Sequence, residues 1–479
     1  MSFNSLEYLW FLPLVFVLYW FVFKPMRWQN LLVVVASYVF YGWWDWRFLL
    51  LIAFTTLCSY GSGLLIERER QRGAKRRAYW YCTANVVVNL VILGVFKYLG
   101  FFAGSMASLA SLIGWQVDAP TLHILLPIGI SFYTFQAIGY TIDVNRGAVK
   151  ASHDVVAFTA FVSFFPQLVA GPIERARNLL PQFTRQRSFD YTQAADGMRQ
   201  ILWGYVKKLV LADNCATYVQ LIYGDAAHLG TQHLVMGMLL FFLQVYGDFS
   251  AYSDMAIGSA KLFGIRLSRN FEYPEFSRDI SEYWRRWHKS LNSWFADYLF
   301  MSLGGWTSRW RIARNVLLVF GLCGLWHGAN WTYVCWGLYF GLLSVAYYLP
   351  PIRNRYKTQT VAGKSLLPSW LEVWQMARTF ALVLLGTPLF RCQSLTEAGQ
   401  YYWAFLTNGW LHGGPKYSPA FLCVIALFFI VEWVQRHKEH PLQLDAIRQR
   451  WVRWLIYYGL LVLIFFYYIS TSQFLYFQF

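Results

Sequence analysis

Apolar residues run along this chain in long continuous stretches, each interrupted by a short polar gap, and they do not alternate with period two. A helix needs about 20 apolar residues to cross a hydrocarbon layer of about 30 Å. On that measure the first half predicts spans at Leu6–Phe23, Leu31–Trp44, Phe48–Ile66, Tyr79–Phe96, Leu99–Ile113, Leu122–Val144, Val155–Ala170 and Ile201–Tyr223. The second half adds Leu234–Tyr252, Ile312–Trp326, Trp331–Leu349, Met376–Phe390, Pro419–Val434 and Trp454–Ser470. Several are short or carry Gly and Pro, so some must be tilted, re-entrant or lining a cavity. The expectation is an all-α polytopic membrane protein with about 11 crossings plus re-entrant or amphipathic helices. A membrane barrel would need period-two alternation, which is missing. Leu6–Phe23 has no basic stretch before it and is followed by Lys24 and Arg27, so it reads as a first spanning helix and not a cleaved signal.

Composition agrees with a membrane solvent. Hydrophobic residues make up 57 % of the 479 residues and charged residues 14 %, where soluble proteins carry about 25 % charged. The 24 Trp and 32 Tyr suit the two membrane–water interfaces. The net charge of +17 does not mark a nucleic-acid groove, because the basic residues cluster in the gaps between apolar runs. Glu67–Arg77 holds six basic residues, Arg353–Lys364 holds four, and Gln435–Arg453 is also basic, whereas Leu209–Ala260 contains neither Lys nor Arg. The basic loops are therefore expected in the cytoplasm, with both the N-terminus and the C-terminal tail outside. The seven cysteines are scattered with no C-x-x-C pair, which indicates neither a disulfide framework nor a metal site.

Candidate chemistry concentrates between Pro127 and Trp336, where polar residues recur inside apolar sequence. Ionisable groups at membrane depth are costly and usually mark a pathway or cavity. His327 stands alone in the uncharged stretch Gly321–Gly341, among glycines at 321, 324 and 328 that permit close approach. A neutral imidazole there is a candidate general base. His288 lies in "EYWRRWHKSLNSW" beside Arg285, Arg286 and Lys289. That segment reads as a cytoplasmic amphipathic helix with Trp284, Trp287 and Trp294 on its apolar side, offering cations to a phosphate-rich donor. Asp248 and Asp254 are expected to partner His327 or the arginines, or to close a helix break. Glu174 and Arg175 read as a pair at a cavity mouth. "HPLQLD", from His440 to Asp445, fits a loose acyltransferase pattern but sits in a charged loop and is set aside.

The stretches "LLPIGISFYTFQ", "FFPQLVAGPIERA", "DFSAYSDMAIG", "EYWRRWHKSLNSWFADYLF" and "GLWHGANWTYVCWGLYFG" resemble the core motifs of the membrane-bound O-acyltransferase superfamily. The similarity is to its bacterial branch of alginate and peptidoglycan O-acetyltransferases and teichoic-acid D-alanyl transfer proteins. The resemblance covers nearly the whole chain. It implies a single integral-membrane domain shaped as a helical funnel, with N-terminal helices over 1–130, a core over 131–349 and C-terminal helices with a tail over 350–479. It further implies that His327 is catalytic and that His288 is a second histidine toward the donor entrance. No bound cofactor or metal is expected, and the donor would be acetyl-CoA. An extracytoplasmic esterase-like (SGNH-type) transferase would pass the acetyl group to a polysaccharide. By the same resemblance Tyr476, in the closing "SQFLYFQF", would be an acyl carrier, since a phenol of pKa about 10 keeps much of a thioester's transfer potential. A non-covalent transporter or flippase would show inverted repeats, and none is evident. A scaffold for an envelope complex would tolerate loss of His327.

Overall fold

A computed structural model describes residues 1–115, 125–348, 356, 360–363, 365–411 and 413–469. Every regular element among these is helical. Five helices are long and apolar enough to cross a membrane: Phe48–Gln71, Lys75–Leu112, Thr231–Leu262, Trp370–Arg391 and Arg450–Tyr467. Leu6–Val22 and Pro419–Val434 are shorter apolar helices. On Arg450–Tyr467 no residue is buried, and Phe465 and Phe466 point outward at 81 % and 76 % exposure. Such a surface is stable only against lipid. The chain is a multi-pass membrane protein.

Two predicted spans prove to be one element. Tyr79–Phe96 and Leu99–Ile113 merge into the continuous helix Lys75–Leu112, because the chain passes Gly94–Tyr98 as a π-helical turn without breaking. Conversely, Val155–Ala170 breaks at Phe164 into Val155–Ser163 and the short Phe165–Leu168, whose first turn accommodates Pro166.

The chain divides into two compact units. The first comprises Met1–Met198 with Ala256–Ser268. Small neutral polar groups bind its helices together: Asn85 donates to Ser59 at 3.3 Å, and Thr141 donates to Asn85 at 3.0 Å. Three helices, Phe48–Gln71, Lys75–Leu93 and Ile130–Arg146, thereby share one hydrogen-bond chain. Lipid chains compete poorly for such contacts, so they contribute about 1 kcal/mol each. Glu174 belongs to this unit too. It is buried instead of standing at a mouth, and its carboxylate accepts from the backbone N–H and hydroxyl of Ser268. Burial raises its pKa to about 7 despite these donors and the opposite charge of Arg175.

The second unit comprises Arg199–Met255 with Arg269–Phe479. Its central packing is between the helices Arg309–His327 and Trp331–Tyr348, joined by a three-residue turn. Ser308 caps the first through its hydroxyl, and the Asn330 side chain accepts from Thr332 at the start of the second. The two backbones nearly touch. A Cβ on Gly324 would collide with the Tyr333 carbonyl, and one on Gly337 with the Phe320 carbonyl. Packing of this closeness needs glycine at both positions. We expect Gly337→Ala to lower the melting temperature of the detergent-solubilised chain by about 5 °C or more. Gly61→Ala, where an added Cβ meets nothing within 4 Å, should change it by less than about 2 °C. Equal melting of the two variants would show that the crossing is loose.

Candidate active site

His327 is the last residue of Arg309–His327, and Gly328 stops the helix with extended backbone. The helix C-terminus carries partial negative charge, which favours an imidazolium over a neutral ring. His327 is 6 % exposed. Its ring meets Trp326, Trp336 and Phe390 edge-on at centroid distances of 5.0, 5.2 and 5.3 Å. It lines a cavity of about 50 Å3 whose other walls include Phe242, Tyr283, Trp287 and Phe340. Among the described lining residues Asp248 is the single carboxylate.

His288 does not ride on one amphipathic helix. The segment breaks into Ile280–Arg286 and Lys289–Trp294, and His288 between them takes left-handed backbone with φ of 42°. A non-glycine residue in that region costs about 1–2 kcal/mol, so its surroundings must impose it. The break is held by strand-like pairing: Glu272 N–H donates to the Arg286 carbonyl at 3.0 Å and Lys289 N–H to the Asn270 carbonyl at 2.9 Å. The Asn292 amide then satisfies the carbonyls of Trp284 and Trp287 at 2.7 and 2.6 Å. Trp284, Trp287 and Trp294 are buried, so this segment is part of the core and does not lie on headgroups. The His288 ring meets Phe249 edge-on at 4.6 Å and Trp326 at 5.8 Å, so Trp326 touches both histidines. Burial, and secondarily the charge of His327, hold His288 well below the ordinary histidine range. It is neutral at pH 7.

The three cations expected to meet a donor are already engaged. Arg286 pairs with Glu282 at 2.6 Å, Lys289 pairs with Glu272, and Arg285 donates to the Ser281 hydroxyl. Glu282 is nearly inaccessible and also receives both arms of Arg278, at 3.0 and 3.1 Å. Arg278 reaches Glu372 at 3.3 Å and stacks on the Tyr356 ring at 3.9 Å. Lys289 and Glu272 are more open, each side chain being 36 % exposed.

Asp248 and Asp254 each meet a lysine. Asp248 meets Lys208 at 2.6 Å, and Lys208 also meets Asp213 at 2.9 Å. Asp254 meets Lys207 at 2.6 Å and accepts from Gln200 at 2.8 Å, while Lys207 donates to Ser250 at 2.8 Å. Sequence reasoning missed both lysines. The available signal was the pair Lys207–Lys208 inside the apolar run Ile201–Tyr223, with Asp213 five residues on. His440 is buried in a turn and Asp445 is exposed beside Lys438, which leaves that pattern outside the site. Tyr476 lies outside the described residues. No group of three or more metal-ligating side chains occurs among the described residues.

The family model for the membrane-bound O-acyltransferase family matches residues 148–376, which includes both histidines. A protein named probable alginate O-acetylase AlgI from Pseudomonas aeruginosa is 40 % identical over 413 residues, 85 % of this chain and 75 % of that protein. The peptidoglycan O-acetyltransferase of Helicobacter pylori is 33 % identical over 419 residues, 81 % of this chain and 76 % of that protein. The teichoic acid D-alanyltransferase of Bacillus subtilis is 28 % identical over 294 residues, 57 % and 71 % of the two chains. With an aromatic-walled histidine cavity built inside a multi-pass helical chain, and with this extent of identity, the chain belongs to the membrane-bound O-acyltransferase family and is an acyltransferase.

Proposed function

We propose that this acyltransferase moves acetyl groups from cytoplasmic acetyl-CoA across the bacterial inner membrane for O-acetylation of an exported polysaccharide. Alginate is the first choice, on the 40 % identity to a protein named for it, and peptidoglycan the second at 33 %. The observation that carries the reading is the cavity of about 50 Å3 at His327. Its predominantly aromatic walls limit the access of water that would hydrolyse the acyl group.

In this reading neutral His327 takes the proton of an acceptor hydroxyl as its oxygen attacks the thioester carbonyl carbon. A C–O ester bond forms, the C–S bond breaks, and the imidazolium returns the proton to the thiolate. His288, neutral and against Trp326, is a second polar group near the thioester. The basic loops and the mouth of the funnel face the cytoplasm, and both chain ends face outward. Tyr476 serves as the carrier from which an extracytoplasmic esterase-like transferase collects the acetyl group.

Inverted vesicles incubated with labelled acetyl-CoA test the reading directly. His327→Ala should lower acetyl transfer at least about 100-fold at equal protein abundance. Undiminished transfer would overturn it. For donor recruitment the open and buried ion pairs separate. Lys289→Gln should raise the half-saturating acetyl-CoA concentration about 3- to 10-fold with the saturated rate nearly unchanged. Glu282→Gln should instead lower melting temperature, because Arg278 and Arg286 lose a shared buried carboxylate. An unchanged half-saturation in Lys289→Gln removes that residue from donor binding. Tyr476→Phe retains the ring and removes one oxygen. A normal rate of polymer acetylation in that variant would eliminate the relay.

A further inference from the structure

Arg187 is a buried cation of the first unit, 9 % exposed, and the groups it bonds are all neutral. Its guanidinium donates to the Gln182 carbonyl at 3.1 Å, to the Asn30 side-chain oxygen at 2.6 Å and to that of Gln29 at 3.5 Å. The amide nitrogens of Asn30 and Gln29 donate to the Phe183 and Tyr19 carbonyls, which turns both side-chain oxygens toward the arginine. The rings of Tyr19 and Phe183 lie 5.5 and 5.6 Å from Arg187 Cζ. Among the described residues Arg187 Nε meets no acceptor, and no carboxylate pairs with the guanidinium. The acid nearest in sequence, Asp190, instead accepts from the backbone N–H groups of Thr192 and Gln193. A guanidinium keeps its charge at any physiological pH. Burying it without an opposite charge costs several kcal/mol, and amide oxygens and ring faces offset only part of that.

The surroundings add positive charge and supply no acid. Gln29 and Asn30 stand near the start of the helix Met26–Gly42, which has neither a side-chain cap nor an acidic residue in its first turn. Such an N-terminus carries about half a positive charge. Lys24 and Arg27 are exposed beside it, and the Gln186 side chain donates to the Lys24 carbonyl at 3.2 Å, which ties the turn holding Arg187 to that end of the helix. Trp28 and Phe21 flank this end at 54 % and 69 % exposure, as suits the level of the lipid headgroups. A phosphate group meets every one of these demands, since a guanidinium fork and a helix N-terminus both favour its oxygens. We propose that Arg187, Lys24, Arg27 and the N-terminus of Met26–Gly42 form a binding site for a phosphate group, carried by an anionic phospholipid headgroup or by a soluble phosphate. The site makes no use of His327, so it stands apart from the acyl-transfer reading.

The test melts the full chain in maltoside micelles doped with phosphatidylcholine, with phosphatidylglycerol, or with phosphatidylcholine plus about 10 mM inorganic phosphate. Phosphatidylglycerol should raise the melting temperature by about 3 °C or more over phosphatidylcholine. An equal rise with inorganic phosphate assigns the site to soluble phosphate, and a rise with phosphatidylglycerol alone assigns it to the headgroup. Arg187→Gln should abolish the rise. An arginine that only clips the fold together would lower melting alike in both lipids and leave the rise intact. If Arg187→Gln fails to fold, the double variant Lys24→Gln, Arg27→Gln decides, because it spares the buried contacts and should remove about half of the rise or more. Arg76→Gln, which removes an exposed cation in the first turn of Lys75–Leu93, should leave the rise within about 1 °C. The proposal is overturned if neither anion raises the melting temperature, if Arg187→Gln or the double variant keeps the full rise, or if Arg76→Gln loses as much.

Discussion

An ammonium group that is 1 % exposed inside an apolar helix bundle is tolerable only if negative charge lies against it, and Lys208 has two carboxylates within 2.9 Å. The cost of leaving either ion unanswered in such a medium is several kcal/mol. That constraint fixes the second unit from inside. It ties the turn Val206–Ala212 and the adjoining Asp213 to the middle of Thr231–Leu262, and it sets the rotation of the latter helix. With that rotation set, Asp248 faces the cavity and Phe249 faces His288. Steric closeness does the complementary task on the opposite wall, where glycine-to-carbonyl contact brings Trp331–Tyr348 against the histidine helix and carries Trp336 to the His327 ring. Charge pairing orients one wall and the missing side chains bring in the other.

Much of this was legible in the residues themselves. The membrane class follows from uninterrupted apolar runs, which need no knowledge of tertiary contacts. His327 was conspicuous because a titratable ring in an uncharged 21-residue stretch has few structural excuses. Its neighbouring glycines announced close approach, and they provide it. The family motifs are local strings, so they survive without a structure.

What escaped depends on residues far apart in the chain. The pattern of Glu282–Trp294 fits a surface helix, but pairing with Asn270 and Glu272 breaks it at His288, and no helical periodicity encodes that partner. The three tryptophans that suited a membrane surface are core residues for the same reason. Asp248 and Lys208 are 40 residues apart, and a carboxylate in an apolar run does not say which cation will answer it. The merging of two predicted spans into Lys75–Leu112 has a different origin. A π-helical turn absorbs Lys97 and Tyr98, which fell between the two predicted spans.

A further π-helical turn, Val206–Ala212, carries a consequence of its own. Lys208 and Asp213 are five residues apart, and in an α-helix of 3.6 residues per turn they would point about 140° away from each other. The wider winding of a π-turn brings positions i and i+5 onto one face. A chain with one residue fewer in this turn would regain ordinary helix and lose the bridge without losing either charged residue. The difference between a buried ionic wall and two stranded charges is therefore a matter of chain length at one turn. Relatives that keep the lysine and both aspartates but lack the extra residue should be sought among proteins that do other chemistry.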